Sequence, residues 1–318
     1  MGFRFRRGEG VPRAIRRIAG EQLRYAAAQL RDSAPENRDK AVHEARKSIK
    51  KVRAVVRLMA AELGPVAEAE NELLRNLARK VSPLRDATVL VQTFDSLEGH
   101  IPDTVCLALQ ERIRTELLKN RTRAARTSTA ARSPATIAFA LERAAQRARA
   151  WPLRNDGFDA IAPGLKRALR RGRNALREVL AEPDAARYHE FRKRVKDHWY
   201  HVRLLESAWT HETKSYEKDL KTLETLLGDD HNLVVLSERV ASLGTAVEVA
   251  GLQEAIAARQ KKLRDEAVDL GQRLYRPRPG FFVRQAEELW KNWHTPPKPR
   301  PKSAAQPSEP TTPEASAA

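Results

Sequence analysis

Two stretches of this 318-residue chain match without a gap when one is slid 146 positions along the other, the interval from His43 to His189. The first reads Val42-His43-Glu44-Ala45-Arg46-Lys47-Ser48-Ile49-Lys50. The second reads Tyr188-His189-Glu190-Phe191-Arg192-Lys193-Arg194-Val195-Lys196. His, Glu, Arg, Lys and the final Lys coincide. The register holds on through Arg57/Arg203, Leu58/Leu204, Leu74/Leu220, Leu77/Leu223, Val89/Val235 and Leu90/Leu236. One long-period duplication is too few units for a solenoid. It requires two similar halves, read here as two helical bundles related by a pseudo-two-fold axis.

Both halves carry helix signals. Ala, Leu, Arg, Glu and Lys fill long segments, and Gly and Pro sit mostly between them. No segment alternates apolar and polar residues as a half-buried strand would. The expected body is residues 11–295, with halves of about 11–130 and 134–295. Residues 1–10 read as a flexible N-terminus. Residues 296–318, rich in Pro, Ser and Ala, read as a disordered tail. Ser82-Pro83 is a helix-start signal, since Ser can cap and Pro suits a first turn. Gly228-Asp229 and Gly244 are expected to bound a short helix, which makes Asp230-His231 a capping pair.

Helical geometry sorts the repeated segment into faces. At about 100° per residue, Arg46, Lys47, Lys50 and Arg57 fall within about 60° of His43, with Arg53 just beyond. Ile49, Val52, Val55, Val56 and Met59 take the other side. The second copy places His189, Arg192, Lys193, Lys196, Tyr200 and Arg203 on one stripe, against Phe191, Val195, Val202 and Leu205. Most charged helix faces are simply solvated, and those intersperse acids with bases. These two stripes carry almost only groups that are cationic or can become so. Like charges so close repel unless an anion compensates.

Bulk charge points the same way. Lys and Arg number 59 against 41 Asp and Glu, a net charge of +18 that favours a polyanionic partner. Cys106 is the only cysteine, which excludes a disulfide framework and a cysteine-rich metal site. The lone thiol suits a reducing cytosol. No signal core and no run of about 18 apolar residues is present, so no membrane partner and a cytoplasmic location are expected.

The pattern His-x-x-Arg-Lys-x-x-Lys, once in each helical half, resembles the CHAD domain, a family named for conserved histidines and α-helical character. Leu84-Arg85-Asp86-Ala87-Thr88-Val89-Leu90 is similar to that family's Arg-Asp segment. Gly164 to Arg173 is similar to the basic helix before its second histidine motif. The resemblance spans about residues 11 to 294. It implies an all-α fold of two pseudo-symmetric four-helix bundles facing each other across a basic cavity that binds inorganic polyphosphate. The implied contacts are His43, Arg46, Lys47, Lys50, Arg53 and Arg57 from one half. His189, Arg192, Lys193, Lys196, Tyr200 and Arg203 come from the other. Arg170, Arg171 and Arg173 are additions, and Arg24 a further one. Two positions depart from the first half: Trp199 stands opposite Arg53, and His231-Asn232 opposite Arg85-Asp86. The ligand chemistry suits these residues. Arg forks take phosphate oxygens bidentately, Lys supplies point charges, and His donates one or two hydrogen bonds. The resemblance also implies localisation to, or regulation at, polyphosphate granules.

Two other classes compete. Nucleic-acid binding follows from charge, yet aromatics are only 6% and do not interleave the basic stripes as stacking platforms would. An enzyme would need a Walker loop or paired carboxylates for magnesium; the sequence has no such loop and the stripe no such pair. No catalytic residue, metal site or cofactor is therefore assigned. His198 and His201 share a spacing that could ligate, but His198 falls on the apolar side and reads as a core histidine.

Overall fold

The computed structural model describes residues 2–294, and no strand occurs among them. The tail expected from residue 296 lies outside the described residues. The helices run α1 (Val11–Arg31), α2 (Arg38–Leu58), α3 (Ala60–Leu63), α4 (Pro65–Asp95), α5 (Leu107–Thr127) and α6 (Thr129–Arg132). They continue α7 (Pro134–Arg149), α8 (Ala162–Ala181), α9 (Ala185–Leu204), α10 (His211–Ala241), α11 (Ala246–Leu274) and α12 (Pro279–His294). The protein is all-α, as expected. No helix among the described residues is long and apolar enough to cross a membrane.

Local chemistry sets the ends. Pro lies in the first turn of α1, α4, α7 and α8, where its missing N–H costs nothing. Asp184 caps α9 by accepting from the Arg187 N–H at 2.7 Å. Thr245 and Glu248 form a capping box at α11. Gly64, at φ 54°, makes the turn into α4 that an L side chain would resist.

Two expected breaks are absent. Helix α4 runs through Ser82-Pro83, and α10 runs through Gly228-Asp229. Each carries an apolar stripe long enough to bury in two places, and that packing outweighs a local proline or glycine penalty. Residues Leu74, Leu77, Val81 and Leu84 of α4 join a large core with α1, α2, α7, α8 and α9. Residues Leu90, Val91 and Phe94 join a second core with α5, α11 and the end of α10. Helix α10 does the same, with Leu220, Leu223 and Leu227 in the first core and Leu233, Leu236 and Val240 in the second. The Ser82 hydroxyl donates to the Ala78 carbonyl within the turn that Pro83 disrupts.

Packing is densest between α1 and both α2 and α7, between α2 and α4, and along the series α8, α9, α10 and α11; α7, which begins at Pro134, packs on the first half. The apolar cores do not divide at the repeat boundary, however. The large core draws on both halves. Gly164 of α8 lies so close to α2 that a Cβ there would meet the Leu58 carbonyl oxygen at 2.0 Å. Residues 2–10, expected as a flexible N-terminus, instead lie against the body. Phe3 and Phe5 are buried, and the Phe5 N–H donates to the Leu204 carbonyl. Phe5 packs edge-on to Trp290 of α12, with ring centroids 4.9 Å apart.

Candidate polyanion site

The duplicated helices α2 and α9 lie side by side and run in the same sense. Arg46 neighbours Arg192, Lys50 neighbours Lys196, and one turn further the Ala54 carbonyl is 2.8 Å from His201 Nε2. Their stretches 43–50 and 189–200, with α4 and α10, enclose a cavity of about 600 Å³. It opens where α4 and α10 pass from one apolar core to the other. Residues 85–90 of α4 and 221–235 of α10 supply its remaining walls.

Seven cations line it: Arg46, Lys47, Lys50, Arg85, Arg192, Lys196 and Lys221. Only two carboxylates do, Asp86 and Glu224, so the cavity holds a surplus of five positive charges with its histidines neutral. Asp86 accepts from Arg46 at 2.6 Å. Glu224 takes both Lys196 and, at 2.6 Å, Lys221. Lys50 and Arg192 have no carboxylate partner among the described residues, and Arg192 Nε is buried without a hydrogen bond. An exposed surface would hydrate such charges. Here burial pushes Lys50 well below its ordinary pKa, with Lys196, Arg46 and Arg192 adding to the effect. Burial also lowers Arg192 and Lys196. Burial alone would raise Glu224, but its lysine partners hold it down at about 2.

Three imidazoles share this field. His43 is depressed by burial and then by Arg85, and His189 by burial and then by Arg192. His231 is pushed down to about 4, first by burial and then by Arg192 and His189. Trp199 and Tyr200 form an aromatic wall, with ring centroids 4.7 Å apart. Lys221 lies 4.8 Å over the Trp199 ring, and Phe3 packs edge-on to Tyr200.

The cavity gathers half of the residues expected from sequence: His43, Arg46, Lys47, Lys50, His189, Arg192, Lys196 and Tyr200. The others sit elsewhere. Arg53 and Arg57 turn to Asn71, and Arg57 also pairs with Asp197 beyond the end of the cavity. Lys193 pairs with Glu190 at 2.5 Å on the outer flank. Arg203 stacks 5.4 Å from the Trp199 ring without lining the cavity. Arg24 is exposed on α1, and Arg170 and Arg171 are exposed on α8. Arg173 donates to the Pro277 carbonyl at 2.9 Å. In the α8 helix the basic face looks outward because Leu165, Leu169, Leu176 and Val179 claim the inner one.

Sequence reasoning left out Arg85, Lys221, Glu224 and His231. Positions 221, 224, 228, 231 and 235 form one stripe only if the helix continues through Gly228. Reading a break there scattered them. His231, expected as half of a capping pair, lines the cavity, and Asp230 is buried mid-helix, accepting from Arg264 at 2.7 Å. His198 is a core histidine, fully buried with Nδ1 3.3 Å from the Tyr275 hydroxyl.

The CHAD domain family model matches residues 16–241, most of the chain. The chain belongs to the CHAD domain family. The crystal structure of the CHAD domain from the plant Ricinus communis superposes with a TM-score of 0.54. At 19% sequence identity it covers 91% of this chain and is itself covered over 95%, so the two share a fold. No curated protein matches. In this CHAD domain the duplicated histidine helices supply the lateral walls of the cavity, and α4 and α10 complete them.

Proposed function

We propose that the central cavity binds inorganic polyphosphate and that the protein is a binder of that polymer rather than an enzyme acting on it. The observation that carries this reading is the surplus of cations inside one walled cavity, with Lys50 and Arg192 forming no ion pair among the described residues although Glu224 lies near both. Desolvated, like-charged groups raise the energy of the empty protein, and a polyanion relieves it. A chain of phosphates offers one charge per unit to Arg forks and Lys ammonium groups alike. Binding without turnover is supported by the carboxylates. Asp86 and Glu224 are both committed to cations and stand as no free pair for magnesium. The same binding would carry the protein to polyphosphate granules.

Calorimetry with polyphosphate tests this on the wild type and on a double variant, Arg46→Ala with Arg192→Ala. The double variant should lose at least about tenfold in affinity, the worth of one charge-assisted contact. Unaltered affinity would show that the site is wrong. DNA added as competitor should displace little polyphosphate, because a duplex does not enter a walled cavity of about 600 Å³; the salt is matched because screening weakens both partners.

A further inference from the structure

A second chamber, of about 340 Å³, lies against the central one. Helices α4, α10 and α11 enclose it, and it shares Arg85, Val89 and Asn232 with the central cavity. Those three side chains are the partition. Arg85 belongs to both sides by geometry as well. Its guanidinium donates to Gln92 Oε1 at 3.2 Å on the second side, while its charge depresses His43 and is itself opposed by Arg46 on the first.

The second chamber is polar and holds its own cation. Gln92, Thr93 and Asn232 offer side-chain donors along its wall, and the Ser96 hydroxyl, which donates to the Thr93 carbonyl at 2.7 Å, presents only its acceptor. Arg259 of α11 stands half-buried on the far side with no hydrogen bond or ion pair among the described residues, opposite Asp229. The other half does not repeat these residues. Shifted by the repeat interval, Arg259 falls on Ile113, a fully buried core residue, and Gln92 falls on Glu238. The feature is thus one-sided, and the repeat alone does not produce it.

We propose that this chamber is an extension subsite for a linear phosphate chain, which passes the Arg85–Asn232 partition and ends against Arg259. The inference rests on polyphosphate binding in the central cavity. It adds a consequence that the central cavity alone does not have: affinity should grow with chain length beyond what the central chamber holds. Arg85 serves the chain on both sides, so no free cation is lost at the crossing. Asp229 is the one opposed charge, and it sits beside Arg259, where burial favours its neutral form and the guanidinium offsets it.

The test is calorimetry with tripolyphosphate and with a long polyphosphate, on the wild type, Arg259→Ala and Ser96→Asp. Ser96 is exposed at the end of α4, so its variant adds a negative charge to the chamber rim without disturbing a core. Both variants should weaken the long chain by roughly five- to tenfold and leave tripolyphosphate within about twofold. Equal losses at both lengths, or no loss with the long chain, would overturn the extension subsite while leaving the central site standing. A wild type that binds neither length would overturn the polyphosphate reading itself, and the extension with it.

Discussion

His189 Nδ1 lies 3.3 Å from His231 Nδ1, with the two rings tilted by 46° and their centroids 4.5 Å apart. One imidazole comes from the duplicated histidine helix, the other from the middle of α10. Such a pair cannot hold two protons cheaply. Around His231 stand Arg192 and His189 of α9 and Lys50 of α2, against the single acid Asp86 of α4. His189 faces Arg192 and Lys193, with Glu190 opposing. In the empty protein both rings are therefore neutral near pH 7, and His231 remains so down to about 4.

A bound polyanion reverses that balance, so binding should take up protons. Affinity should rise as pH falls below about 7 and level off near the free pKa of His231. Calorimetry in buffers of different ionisation enthalpy measures the uptake, and histidine NMR titration locates it. Equal histidine pKa values with and without polyphosphate would sink the coupling.

Glu224 is the resident counter-ion of the cavity. Replacing it with Gln strands Lys196, whose side chain is 21% exposed. The variant should lose about 2 kcal/mol, less than the ~3–5 of a fully buried broken pair because Lys196 keeps some water. Urea denaturation reads this loss, and polyphosphate should restore it while binding more tightly than to the wild type. For the wild type the sign is that of a depressed carboxylate. The stabilisation is present above the ordinary value of 4.5 and lost as pH falls through about 2. If Glu224→Gln weakens polyphosphate binding, Glu224 is not a competitor for these lysines.

Two core histidines set a second pH dependence. His198 is depressed to about 3 by burial among Tyr216, Tyr275 and Phe282, and His201 to about 4 by burial at the α2–α9 seam. Both are neutral in the folded protein and take protons on unfolding below 6.5. Stability should therefore fall as pH drops from about 6.5 toward 4, by about 1.4 kcal/mol per pH unit for each group. His198→Phe keeps an aromatic ring in that pocket and should remove about one proton from the slope. An unchanged slope in urea midpoints between pH 7 and 5 would assign the dependence elsewhere.

The N-terminal segment offers a stability test. Phe5 is 1% exposed and packs against Trp290, so Phe5→Ala should cost about 3 kcal/mol by cavity formation. Thermal and urea unfolding would show it. A change under about 0.5 kcal/mol would return residues 2–10 to the flexible leader that their Gly-rich, Arg-rich sequence resembles.

How far the site was legible depended on which helix carried each residue. His43, Arg46, Lys50, His189, Arg192 and Lys196 were legible because a duplicated 3.6-residue stripe needs only local geometry. Arg53 and Arg57 lie on the same stripe yet fall outside the cavity, since α2 and α9 close on each other at Ala54 and His201. No single-helix projection contains that crossing. Lys221, Glu224 and His231 were hidden by Gly228, whose local penalty was read as a break. The helix persists because its apolar residues fill two cores, a tertiary fact.

Arg170 and Arg171 make the sharpest separation between stripe and cavity. Both are basic, both match the family's basic helix in sequence, and both are exposed on α8, outside the central lining. Arg192 is half-buried in that lining, with its Nε fully buried and without a hydrogen bond. If composition governs binding, losing two exposed arginines should matter more than losing one in the cavity wall. If the cavity governs it, the order reverses. Arg170→Ala with Arg171→Ala should then leave affinity within about twofold, because exposed charges are well screened at physiological salt. Arg192→Ala should weaken binding at least about tenfold and reduce the slope of log affinity against log salt by about one. Salt titrations on the two variants decide it, and a larger loss from the α8 pair would move the binding surface out of the cavity.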